Sequence, residues 1–162
     1  MTELLPNYVS GRWQSGSGAG TPLFDPVLGT ELARVDATGL DLPAAFAFAR
    51  EQGGSALRAL TYRQRAALLG AVAKVLQAHR DAYYEIATAN SGTVKNDSAV
   101  DIDGAIFTLG QYAKWGDGLG DVHALRDGDA ARLGKEPVFQ SQHLQLPTHG
   151  VALFINLSLI HI

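Results

Sequence analysis

The residues of this 162-residue sequence with types suited to chemistry are five histidines, the aspartate pair Asp101 and Asp103, Ser91, and two glycine clusters. None of His79, His123, His143, His149 and His161 pairs with another at a helical i, i+4 step. None stands in the H-E-x-x-H context that a zinc hydrolase uses. Asp101 and Asp103 lie two apart, which on a helix turns them about 200° from one another. They therefore make no catalytic carboxylate pair, and a supporting role on the helix dipole suits them better. Ser91, between Asn90 and Gly92, lacks a nucleophile elbow and reads as a helix end. Gly116-Asp117-Gly118-Leu119-Gly120 has the wrong spacing for a dinucleotide fingerprint. The cluster at Gly16, Gly18 and Gly20 is followed by Thr21-Pro22 and another strand rather than a helix, so it reads as a hairpin connection and not as a phosphate loop. The cysteine count is zero, which removes disulfides, zinc-thiolate sites and any thiol nucleophile. Local chemistry alone assembles no complete active site.

The elements that would position such residues follow from patterning. Residues 7–36 read as β: a strand at 8–13, a turn at Pro26-Val27-Leu28-Gly29 and a strand at 31–35. Asp41 caps a helix with Pro43 at its second position, stopping at Gly53-Gly54. Thr61 and Gln64 have capping-box spacing ahead of a long amphipathic helix. Its stripe is Leu68, Leu69, Val72, Val75 and Leu76, continuing to Tyr83 and Ile86 and ending at Asn90-Ser91-Gly92. Asn96 or Asp97 caps a third helix with Ile102, Ala105, Ile106, Leu109, Tyr112 and Ala113 on one side, finishing near Gly116. Residues 121–125 and 137–146 read as two arms of a projecting ribbon, separated by 127–130; such ribbons commonly meet another subunit. Gly150-Val151-Ala152-Leu153-Phe154-Ile155-Asn156 is a short, unalternating apolar run, as in a strand buried on both faces of a parallel sheet. Such a strand requires neighbours delivered by crossover connections, and no second strand of this kind lies upstream.

Composition sets the outer bounds. The length fits one domain, and 46% hydrophobic residues is ordinary for a globular chain. A net charge of −3 with both signs dispersed argues against a nucleic-acid or anionic-membrane surface. No apolar stretch approaches the ~20 residues needed to span a bilayer, and no signal peptide is visible, so a cytoplasmic location is the expectation.

The order of elements resembles the N-terminal third of an aldehyde dehydrogenase. The residues carrying the resemblance are Gly11-Arg12-Trp13, Asp25-Pro26-Val27-Leu28-Gly29, residues 63–69, Asn90-Ser91-Gly92 and residues 150–156. Gly39-Leu40-Asp41, residues 53–61 and residues 97–104 resemble a branch that oxidises CoA-linked semialdehydes in aerobic benzoate and phenylacetate degradation. The resemblance implies an incomplete α/β fold. Residues 1–120 would supply the hairpin and helices of the cofactor-binding domain, 121–149 the oligomerisation ribbon, and 150–156 the first strand of the dinucleotide-binding sheet. In that branch Ala-Phe-Asn-Phe-Pro follows Ile-Asn; here residues 157–162 read Leu-Ser-Leu-Ile-His-Ile, which suggests a non-native tail.

In such an enzyme a cysteine thiolate attacks the aldehyde, amide donors hold the oxyanion, hydride passes to NADP or NAD, and a glutamate-activated water hydrolyses the thioester. The family's cysteine, glutamate and dinucleotide-binding glycines have no counterpart here. Only Ile155 and Asn156 carry over, as cofactor contacts made mostly through backbone. The expectation is an inactive N-terminal fragment of an NAD(P)-dependent semialdehyde dehydrogenase with a small-molecule CoA-linked aldehyde as the parent's substrate, no nucleic-acid or membrane partner, and homo-oligomer contacts through residues 121–146. The alternative is a non-catalytic interaction or oligomerisation module.

Overall fold

The computed structural model describes residues 2–155. The chain begins with five short strands: β1 (Leu4–Leu5), β2 (Asn7–Val9), β3 (Arg12–Gln14), β4 (Thr21–Phe24) and β5 (Glu31–Val35). The expected single strand at 8–13 is instead a tight hairpin of β2 and β3. Ser10 and Gly11 have φ of 51° and 78°, the two left-handed positions that a two-residue hairpin turn demands. Tyr8 pairs with Trp13 across it, their rings edge-to-face with centroids 5.1 Å apart. A second sheet has the order β1-β5-β4, with β1 parallel and β4 antiparallel to β5. The turn between β4 and β5 is built on buried Asp25, whose Oδ1 accepts the Val27 and Leu28 N–H groups at 2.7 and 2.9 Å.

The helices differ from expectation mainly at their ends. Asp41 caps α1 (Leu42–Phe48), accepting the Ala44 N–H at 2.9 Å. The helix does not stop at Gly53-Gly54. It continues through a π-helical segment (Ala49–Gly53) into α2 (Gly54–Ala59), since both glycines keep right-handed helical angles. Thr61 and Gln64 form the capping box at the start of α3 (Tyr62–Ala78), and Leu60 before them is extended. The long helix breaks at His79 (φ −113°, ψ 11°), which ends α3 and begins α4 (Arg80–Ser91). The break resets the helical phase, so Tyr84 is buried in α4 while Ile86 is 63% exposed. Gly92, at φ 69°, closes α4 as a left-handed cap. The next helix, α5 (Lys95–Gly118), begins one to two residues before the expected Asn96 or Asp97 cap. Val94 occupies the capping position, and its carbonyl accepts the Asp97 and Ser98 N–H groups.

The ribbon consists of antiparallel β6 (Leu125–Arg132) and β7 (Gln140–Gln145). Its first arm is therefore 125–132, not 121–125. The polar segment 127–130 is absorbed into the strand as an irregularity at left-handed Gly128, whose carbonyl accepts the Gln142 amide at 3.2 Å. The expected buried strand at 150–156 is not formed over the described part: residues 151–155 pair with no strand, and Leu153 and Phe154 are 70% and 83% exposed. A parallel strand forms only beside a hydrogen-bonded neighbour, and the described residues supply none there.

The principal packing is α3 against α5. A Cβ built on Gly116 would stand 2.9 Å from the Ala66 Cβ, and one on Gly70 would stand 3.8 Å from that of Ala113. Ala66 and Ala73 are buried along this seam. Gly116 permits the close approach, whereas Gly104 in the same helix faces open space. Replacing Gly116 by Val should therefore cost about 1–3 kcal/mol through overpacking. Gly104→Ala should stabilise by about 0.5–1 kcal/mol through helix propensity. Urea unfolding followed by far-UV circular dichroism measures both, and equal effects of the two substitutions would contradict the seam.

Candidate functional site

The residues singled out from sequence mostly have structural roles. Ser91 Oγ donates to the Ala87 carbonyl at 2.5 Å and meets Thr93 Oγ1 at 3.0 Å, closing the end of α4. Asp103 accepts the Tyr84 hydroxyl at 2.7 Å and lies 3.9 Å from the Arg80 guanidinium. That hydrogen bond, followed by burial, raises the Tyr84 pKa. The dipole role expected of Asp101 and Asp103 falls instead to Asp97, the acid in the first turn of α5; the other two lie beyond the reach of the helix end. Buried Ser98 meets Thr93 Oγ1 at 2.6 Å and Thr88 Oγ1 at 3.3 Å, joining α4, α5 and the loop between them. The structure brings no two of the described histidines into a shared polar cluster, and no group of three metal-ligating side chains converges among the described residues.

Neither glycine cluster is arranged to receive a phosphate. In the first, the Gly18 N–H donates to Asp36 Oδ2 at 2.5 Å, so a carboxylate already occupies the anion's place. The Ala19 and Gly20 carbonyls face Arg34 Nη1 at 2.9 and 3.2 Å. The second cluster, Gly116 to Gly120, lies at the C-terminal end of α5, the negative end of the helix dipole, which repels anions. The cofactor-contact positions fare similarly. Ile155 is 73% exposed and outside any strand. Asn156 and residues 157–162 lie outside the described residues. The described residues thus do not assemble a dinucleotide cradle, and no catalytic step is derived through one.

Three open grooves stand out among the described residues. The first, about 890 Å³, lies between the Asp25 turn, the length of α4 and the loop into α5, and carries Asp81, Glu85 and Lys95. The second, about 590 Å³, is lined by apolar residues of the β2–β3 hairpin and α1 together with residues 150–152. The third, about 630 Å³, lies between α2, the start of α3 and residues 146–152, with Arg58, Tyr62, Arg65 and His149 on its walls. Sequence reasoning missed this third site. The available signal was a stretch between Glu51 and Asp81 that has no acidic residue but contains Arg58, Arg63, Arg65, Lys74 and Arg80.

The chain belongs to the aldehyde dehydrogenase family, whose model matches residues 13–139. It is 49% identical to the 3,4-dehydroadipyl-CoA semialdehyde dehydrogenase of Aromatoleum evansii over 152 residues, 94% of this chain. The chain spans 30% of the length of that relative. Solved structures share the fold, among them the following two. An NAD-dependent benzaldehyde dehydrogenase from Corynebacterium glutamicum matches 76% of this chain and 27% of its own, with a TM-score of 0.63 and 18% identity. An NADP-dependent enzyme of E. coli matches 79% of this chain and 26% of its own, with a TM-score of 0.63 and 21% identity. No helix among the described residues is long and apolar enough to cross a membrane.

The Asp36 carboxylate offers a pH test of the glycine segment. Hydrogen bonds from the Thr38 hydroxyl and then the Gly18 N–H lower its pKa below the ordinary aspartate range. A carboxylate with a lowered folded pKa adds stability that is present in full above its unfolded pKa and lost as pH falls through the folded one. The stability difference between this chain and its Asp36→Asn variant should therefore be largest near neutrality and shrink as pH drops below about 4. Denaturant unfolding at stepped pH measures it, and a pH-independent difference would remove Asp36 from this role.

Proposed function

We propose that this chain forms the N-terminal helical platform and oligomerisation ribbon of an NAD(P)-dependent dehydrogenase that oxidises a CoA-linked semialdehyde to the acid. The supporting observation is 49% identity to a CoA-semialdehyde dehydrogenase across 94% of the chain, a stretch that includes the branch-like motifs at 53–61 and 97–104. The setting is aerobic aromatic degradation in the cytoplasm. The ribbon of β6 and β7 supports assembly into a homo-oligomer, because Leu144 in β7 and Phe139 just before it are 60% and 62% exposed.

The chemistry of the whole protein does not reside in these residues. With no cysteine, this chain offers no thiolate to attack a carbonyl carbon. What its own residues do is mechanical. The α3–α5 seam and the Arg63 contacts fix where residues 119–124 leave the helices, and so where the ribbon starts.

The test is reduced-nicotinamide formation from a CoA-linked semialdehyde, measured for the 162-residue chain and for the longest reading frame that contains it. The expected result is turnover by the longer product, abolished by a thiol reagent, and none by the 162-residue chain. Thiol-independent turnover by the 162-residue chain would overturn the mechanism. Absence of turnover in both would favour the second reading, a non-catalytic oligomerisation module built on the exposed ribbon.

A further inference from the structure

The sequence contains three Asp-Gly pairs, Asp103-Gly104, Asp117-Gly118 and Asp127-Gly128, and no Asn-Gly. In such a pair the missing Cβ of glycine leaves its backbone nitrogen open to the carboxyl carbon of the preceding side chain. Whether the two atoms meet depends on the backbone, and the fold treats the three pairs differently.

The first two pairs lie in α5. There the N–H groups of Gly104 and Gly118 belong to the helical hydrogen-bond ladder, so closing a ring on either nitrogen would break a helical turn. Both carboxylates are also held. Asp103 accepts the Tyr84 hydroxyl at 2.7 Å, and Asp117 accepts the Arg63 Nε–H at 3.1 Å.

Asp127 stands at the register break of the ribbon. It pairs with His143, and the next pair is Ala131 with Ser141, so residues 128–130 of β6 face only Gln142 of β7. Gly128 sits in this bulge without a paired residue opposite, at a left-handed φ of 70°. Asp127, Gly128 and Asp129 are exposed, and Asp127 makes no ion pair among the described residues. Turning the Asp127–Gly128 peptide therefore requires only local opening of the bulge.

We propose that Asp127-Gly128 is a site of spontaneous covalent modification, at which β6 converts to an isoaspartyl linkage. The Gly128 nitrogen attacks the Asp127 carboxyl carbon and forms a new N–C bond. The carboxyl hydroxyl leaves with the nitrogen's proton as water, giving a succinimide ring. Water then adds to one of the two ring carbonyls. Opening at the side-chain carbonyl restores aspartate. Opening at the main-chain carbonyl leaves the chain running through the Asp127 side chain. No oxidant or cofactor takes part, and the mass of the chain is unchanged. The isoaspartyl form adds one carbon to the backbone of β6 and leaves the former main-chain carbonyl as a pendant carboxylate. The change falls on the ribbon, away from the α3–α5 seam.

The test incubates the purified 162-residue chain in heavy-oxygen water at mildly acidic pH, folded and in guanidinium chloride, and maps isotope uptake by peptide mass spectrometry. In guanidinium chloride the three pairs should take up label at similar rates, because each is then an Asp-Gly in an open chain. In the folded chain Asp127 should label about tenfold faster than Asp103 or more, the ratio that protection by a helical turn supplies. Gly128→Ala should slow labelling at Asp127 about tenfold, since a Cβ blocks the nitrogen. Asp127→Glu keeps the charge but has a side chain too long to close this ring, and should lose the label at 127. Circular dichroism confirms that each variant is folded. Labelling at Asp127 no faster than at Asp103 in the folded chain would overturn the proposal, as would label that persists at position 127 in Asp127→Glu.

Discussion

The contact on which the rest of the structure depends is the close approach of α3 to α5 at Ala66 and Gly116. With a Cβ at Gly116 standing only 2.9 Å from the Ala66 Cβ, the backbones come near enough for the loop after α5 to reach the start of α3. There the Val122 and Gly120 carbonyls accept the Tyr62 and Arg63 N–H groups at 3.0 and 3.1 Å, while Thr61 Oγ1 accepts the Gln64 N–H at 3.2 Å. Donors that every helix N-terminus leaves without an intrahelical partner are thereby satisfied, two of them by a segment more than fifty residues away in sequence. Arg63 adds ion pairs to Asp117 and Asp121 across the same junction. These pairs are exposed, so they orient the junction more than they stabilise it. The ribbon leaves from the same junction, and the Arg58–Arg65 groove opens beside it.

Away from the seam the helices are thinly covered. The accessible surface is 12199 Å², against about 7,800 Å² for a compact monomer of this length. Leu68, Val72 and Val75, spaced for one face of α3, are 50%, 50% and 57% exposed. On α5 the helical stripe is likewise divided: Ile102, Ile106, Leu109 and Ala113 are partly covered, and Phe107 and Trp115 are 65% and 60% exposed. Among the described residues only Ala66, Ala73 and Tyr84 form a buried hydrophobic set. With so little apolar area buried elsewhere, the packing of α3 on α5, helped by the caps and short-range turns, is what orders the helices.

Features written in local chemistry were legible in the sequence. The Asp41 cap, the Thr61–Gln64 capping box, the Gly92 terminus and the turn at 26–29 each rest on one or two residues whose side chains or dihedrals act on their immediate neighbours. What escaped depends on geometry that spacing does not encode. Ser10-Gly11 could be read as strand interior until both φ values were known to be positive. His79 breaks a helix whose apolar pattern continues across it, and Gly53-Gly54 leave a helix intact because neither takes a left-handed conformation. The apolar run at 151–155 has the composition of a buried strand but no partner to make it one. The Arg58–Arg65 groove was hidden for a related reason. The two arginines sit on different helices either side of the extended Leu60, and only the fold shows that both line one cavity with no carboxylate.

Backbone amide hydrogen exchange on the 162-residue chain tests the central claim, that order radiates from the α3–α5 seam, most directly. The slowest exchange should fall within α3 near Ala66 and Ala73 and within α5 near Ala113 and Gly116, with residues 151–155 exchanging at rates close to those of an unstructured chain. Protection across 151–155 equal to that of α3 would contradict the account, because it would show that the strand has found a partner and that the seam is not what organises the chain.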